Sequence, residues 1–112
     1  VECNAASLYL GDTDLNQQVK GSNDMIDSLF SHLAAVSHHI GTIQVPHHGS
    51  IKNFNHKILT KWNIPKHYFA SFGEKNTHGH PSSEVLEYIM RGNPFYGVTE
   101  NRNSMAIEFI YL

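Results

Sequence analysis

The sequence predicts an α/β fold, and three observations carry that prediction. Short apolar runs bounded by Gly and Pro alternate with longer segments whose apolar residues recur at helical spacing. The resulting order is β-α-β-α-β-α-β-β, the alternation that builds a sheet with helices packed on it. Each of the first three strand-like runs also ends in a polar cluster: "GDTD", then "PHHGS", then "GEKNTHGHPS". Open α/β sheets collect ligands at the carboxyl ends of their strands, so these clusters mark where chemistry is expected.

"SLYL", Ser7 to Leu10, is expected to be a short buried strand stopped by Gly11 and the acidic turn after it. Residues 16–22 are polar and expected as loop. From Asn23 to Val36, Met25, Ile26, Leu29, Phe30, Leu33 and Val36 fall on one helical face, with Ser22 or Asn23 as N-cap. Ile40 to Val45 forms a second strand closed by Pro46. "NFNHKILTKW" carries Phe54, Ile58, Leu59 and Trp62 as a shorter helix ending before Pro65, and "KHYFASF" follows as a third strand. After Pro81, "SSEVLEYIMRG" offers a Ser cap, the apolar set Val85, Leu86, Ile89 and Met90, and Gly92 as C′ residue. "FYGV" and "SMAIEFIYL" are expected as closing strands joined by the turn-forming "TENRN".

The 112 residues, 40% of them hydrophobic, suffice for one small domain with one core. A net charge of −2 with only 16% charged residues gives no basic footprint for nucleic acid or anionic membrane. It argues softly against a long DNA or RNA substrate and leaves a phosphate-bearing one open, because a metal ion can supply positive charge locally. No apolar run is long enough to span a bilayer, so no membrane segment is expected in residues 1–112. Cys3 stands alone, which rules out an internal disulfide and leaves the redox compartment open; a cytoplasmic location is the expectation.

Nine scattered histidines outnumber the eight lysines and arginines. His47 and His48 are adjacent, pinned by Pro46 and released by Gly49, and can face one site only if the backbone turns there. One could ligate a metal while the other holds a phosphate or relays a proton. Ser50 could cap the next segment or hydrogen-bond a ligand oxygen. Asp12, directly after a strand and Gly11, is either an Asx-turn residue or a carboxylate able to bridge metals. Asp14 is a weaker candidate of the same kind. His78 and His80 flank Gly79, Asn76 suits a tight turn or an oxyanion contact, and Ser82 suits a helix N-cap beside a bound anion. His32, His38, His39, His56 and His67 are expected on the surface or at caps, and Trp62, Tyr68 and Phe69 in the core.

Taken together and in order, "LYLGDTDL", "IQVPHHGS", "ASFGEKNTHGHPSSEVLEYI" and "FYGVTENRNSMAIEFIYL" resemble the second half of the metallo-β-lactamase fold. The nearest branch is the phosphodiesterase-like one found as the C-terminal domain of competence DNA-uptake channel proteins and in related stand-alone hydrolases. The resemblance implies the C-terminal half of an αββα sandwich, one mixed sheet with flanking helices, over residues 1–112. It implies a pair of Zn²⁺ ions, or Mn²⁺, held by Asp12 and His48. His80 and His47 would serve as catalytic groups, and Asp14, Asn76, Ser50 and His78 would lie beside a phosphoester substrate. The H-x-H-x-D-H motif that completes such a site is absent from these residues.

The expectation is therefore half of a hydrolase, inactive alone and needing either its N-terminal half or a second copy. The start at Val1, inside what looks like a strand, suggests a truncated beginning. The closing strand agrees: Met105, Ile107, Phe109 and Tyr111 alternate with Ala106, Ile110 and Leu112 (and Glu108), apolar on both faces. A non-catalytic interaction module that keeps only the fold half is the alternative. A self-sufficient metal domain built on Asp12, His47, His48 and His80 is a third.

Overall fold

The computed structural model describes residues 6–19, 24–62, 64–101 and 103–104. Four strands form one sheet in the order β1 (Ala6–Tyr9), β2 (Ile40–Gln44), β3 (His67–Ser71) and β4 (Phe95–Val98). All three pairings are parallel, so the fold is a small α/β protein with a parallel sheet. The antiparallel strand that would make the sheet mixed falls on residues 105–112, outside the described residues.

Because each strand joins beside the previous one, right-handed crossovers set the connecting helices on one side of the sheet. Register explains the two faces. Leu8, Ile43, Tyr68 and Phe95 pair in one transverse row, and Ile43 and Tyr68 are each only 1% exposed. This row meets Ile26, Ile58, Val85 and Ile89 from the helical segments in a single core. The adjacent row is Tyr9, Gln44, Phe69 and Tyr96, with Tyr9 70% and Tyr96 42% exposed. Phe69 thus belongs to the second face, while Tyr68 is core as expected and Trp62 packs against the core's margin.

The helices are shorter than the sequence suggested. α1 runs over Met25–His32 rather than from Asn23 to Val36, and Asp24 is its N-cap, accepting the Asp27 N–H at 2.9 Å. The expected caps, Ser22 and Asn23, lie outside the described residues. The apolar stripe of α1 ends at Leu33; Val36 is 46% exposed, so continuing the helix would bury nothing. The segment expected as a helix after Phe54 is a 3₁₀ turn over His56–Lys61 that buries Ile58. α2 (Ser83–Met90) has Ser82 at its N-cap as expected, but it ends at Arg91 in helical geometry, and Gly92 does not take the left-handed C′ conformation. Two ion pairs, Lys57–Asp24 at 2.7 Å and Lys61–Asp27 at 2.9 Å, tie the start of α1 to the 3₁₀ turn.

Candidate functional site

Parallel strands bring the ends of β1, β2 and β3 to one edge, and the three polar clusters meet there. They are laced together by backbone. The carbonyl of Gly11 accepts the His47 N–H at 2.7 Å, that of Asn53 accepts the Leu15 N–H at 2.9 Å, and that of Gly49 accepts the Ser82 N–H at 2.9 Å. Gly11 N–H in turn donates to Gln44 Oε1 at 2.9 Å. The result is a pocket of about 680 Å³ lined by His47, His48, Ser50, Ile51, Lys52, Asn53, His78, Gly79, His80 and Ser82.

The tandem histidines reach this pocket by the turn their adjacency required. His47 and His48 both occupy the left-handed region, with φ of 49° and 55°. That conformation costs a non-glycine residue about 1–2 kcal/mol, and it recurs where surrounding contacts enforce it. Here the contacts are on the rings. His48 Nδ1 donates to the Ser71 carbonyl, and His47 Nδ1 to Asn53 Oδ1 at 3.1 Å. In the neutral form of each ring this places the proton on Nδ1 and the lone pair on Nε2. The four pocket imidazoles form a chain, with centroids 6.2 Å apart from His48 to His47, 6.1 Å from His47 to His80 and 5.8 Å from His80 to His78.

His80 is held by one residue. Asn76 Oδ1 accepts the His80 N–H at 3.0 Å, while Asn76 Nδ2 donates to the carbonyls of His80 and Gly73, both at 2.8 Å. Asn76 thus spends its amide on the loop and does not line the pocket. His80 Nδ1 is buried without a hydrogen-bond partner. Burial, followed by the fields of His78, His47, His48 and Lys52, holds His80 below the ordinary histidine pKa.

The carboxylates stand apart. Asp12 is exposed and absent from the pocket lining, though it follows the glycine whose carbonyl holds His47. Asp14 Oδ1 accepts the Asn16 N–H at 2.9 Å, and Asn16 Nδ2 reaches the carbonyls of Lys52 and Phe54 at 2.8 and 3.1 Å. Asn16 therefore fastens the first loop to the second, while Asp14 holds the Asn16 backbone. Of the predicted site residues, His47, His48, Ser50, His78 and His80 are brought together; Asp12, Asp14 and Asn76 frame them. Lys52 and Asn53 were missed. Their signal was position: a loop forcing two histidines into left-handed geometry needs an acceptor nearby, and Asn53 lies just past the turn. The other histidines lie elsewhere: His32 Nδ1 contacts the Ser28 carbonyl at 2.8 Å, His56 stacks on Tyr88 at 4.7 Å, and His67 stacks on Tyr96 at 5.8 Å.

His48 fits one position of a metal centre, since metal-bound imidazoles commonly donate their other N–H to a carbonyl. The set is not a whole centre: among the described residues no group of three or more His, Cys, Asp or Glu side chains is arranged to hold a metal ion. No described helix is long and apolar enough to cross a membrane. No family model matches the chain, and neither curated proteins nor solved structures include a significant match.

Proposed function

We propose that this chain is the C-terminal half of a metal-dependent hydrolase of metallo-β-lactamase type, directed at phosphoesters. One observation carries the reading: His47 and His48 are forced into left-handed backbone, have their Nδ1 atoms anchored, and line the same pocket as His78 and His80. Strain and anchoring of this kind serve a site better than a solvated loop. His48 and Asp12 would hold metal, zinc or manganese, with the remaining ligands supplied by a complementary half. When bound, the ions supply the Lewis acidity that makes water nucleophilic near neutral pH.

The chain's own residues do the rest. With Nδ1 donating to Asn53, a neutral His47 ring would present Nε2 as a proton acceptor. Burial, the largest cause, lowers the His80 pKa, which favours a neutral imidazole able to hydrogen-bond the substrate without adding charge. The open row of Tyr9, Phe69 and Tyr96 would pack against the complementary half or a second copy. The test is to mix this chain with the polypeptide encoded immediately upstream of Val1 and assay bis-p-nitrophenyl phosphate with zinc or manganese. Hydrolysis is expected in the mixture and in neither part alone.

A second reading is a non-catalytic interaction module, and the incomplete metal group among the described residues is compatible with both. The upstream sequence separates the two: an H-x-H-x-D-H there supports the hydrolase, and its absence supports the module.

A further inference from the structure

The pocket holds a second set of groups that the histidine pair does not use. Its lining includes Ser50, Lys52 and Ser82 and contains no carboxylate. Ser50 is only 4% exposed; its Oγ accepts the Lys52 N–H at 3.3 Å, and its own proton has no acceptor among the described residues. A buried hydroxyl in that state is one hydrogen bond short, and a ligand oxygen would supply it. Ser82 occupies the N-cap of α2, yet its side chain makes no capping hydrogen bond. Its hydroxyl and the first-turn N–H groups of α2 are therefore unspent by the cap. Lys52, exposed on the pocket lining, makes no ion pair among the described residues.

We propose that Ser50, Lys52 and Ser82 form a subsite for a tetrahedral oxyanion, the phosphoryl group of a phosphate ester, which this chain binds without a metal ion. Donors from two loops and one ammonium suit an acceptor with three or four oxygens better than a planar carboxylate. The cavity is larger than a phosphate needs, and Ile51, 38% exposed on its lining, offers apolar surface to the organic part of the ester. The inference rests on the phosphoester reading for the ligand's being a substrate; the subsite itself depends only on residues of this chain.

The test titrates inorganic phosphate into the chain in EDTA at about pH 8, above the ordinary histidine range, so that the imidazoles stay neutral. Amide NMR follows binding, with chloride at matched ionic strength as the control. Saturable shifts centred on Ser50, Lys52 and Ser82 are expected, with Lys52→Gln weakening phosphate by about tenfold or more and Lys52→Arg retaining most of the affinity. Shifts that do not saturate, that chloride reproduces, or that Lys52→Gln leaves unchanged would overturn the subsite. Phosphate binding without hydrolysis in the mixed assembly would leave the subsite standing and sink the hydrolase reading. Hydrolysis without phosphate binding in EDTA would do the reverse.

Discussion

Gly49 and Pro81 pack without room for a side chain between them: a Cβ added to Gly49 would lie 2.6 Å from Pro81 Cβ and 2.9 Å from Pro81 Cα. The contact joins the loop that carries His47 and His48 to the loop that carries His78 and His80. Gly49 also sits at φ +86°, a region other residues rarely adopt. Gly49→Ala must therefore part the two loops or leave its own conformation. The expected cost is about 2–4 kcal/mol by thermal or denaturant unfolding, combining left-handed strain with overpacking. Phosphate binding at Ser50 and Ser82 should weaken with it, since those residues lie on opposite sides of the contact.

Asn76→Ala removes two hydrogen bonds to the His80 backbone and one to the Gly73 carbonyl, and should cost about 1–3 kcal/mol. Hydrogen exchange at the His80 amide is the direct readout, and its protection should fall. Asn76→Asp keeps an acceptor for the His80 N–H but turns carboxylate oxygen toward two carbonyls. It should protect that amide better than Ala while stabilising the loop less than Asn.

How far the sequence could be read depended on whether each signal was local. Alternating apolar runs and turn residues located all four described strands within a residue or two, because period and punctuation are short-range properties. Adjacent side chains point to different faces of regular structure, so His47 and His48 could share a site only at a turn, and left-handed geometry at both residues supplies it. Helix lengths were less legible, because α1 stops where tertiary burial stops, at Leu33, rather than where its propensity does. The site was legible in its histidines and not in its geometry. The Asp14 contact with the Asn16 N–H and the Asn76 clamp on Gly73 and His80 span only two to four residues, but nothing local tells that Lys52 would face the pocket. The meeting of the three loops depends on contacts distant in sequence.

Acid should act on the fold through two groups of different kind. Asp24 is held below the usual aspartate pKa, first by its hydrogen bond from Lys57 and then by the Asp27 N–H. The folded state thus favours the carboxylate, and its contribution is present above the ordinary aspartate pKa and lost as pH falls through the lowered value. His80 is also depressed, so the folded chain resists protonation there more than the unfolded chain does. Stability falls as pH drops below the ordinary histidine range, and this penalty is complete once pH passes the lowered value. Unfolding across the acid range should show two separate losses. Asp24→Asn should abolish the lower one and leave the upper one in place.

The open sheet face predicts association. Tyr9 and Phe69 meet edge to face at 6.0 Å and Tyr96 stacks on His67 at 5.8 Å, a row of rings with Tyr9 and Tyr96 substantially in water. The purified chain should self-associate or bind a hydrophobic dye, and Tyr9→Ser with Tyr96→Ser should reduce both. A chain that sediments as a stable monomer and binds no dye would remove the argument for a covering partner.

The proposed function assigns Asp12 and His48 to a hydrolytic metal site shared with a complementary half. The most direct measurement is hydrolysis of bis-p-nitrophenyl phosphate by the mixed halves with zinc or manganese, comparing the unaltered chain with Asp12→Ala and His48→Ala. Hydrolysis is expected with the unaltered chain and its loss in both variants. Retention of activity in both would contradict it.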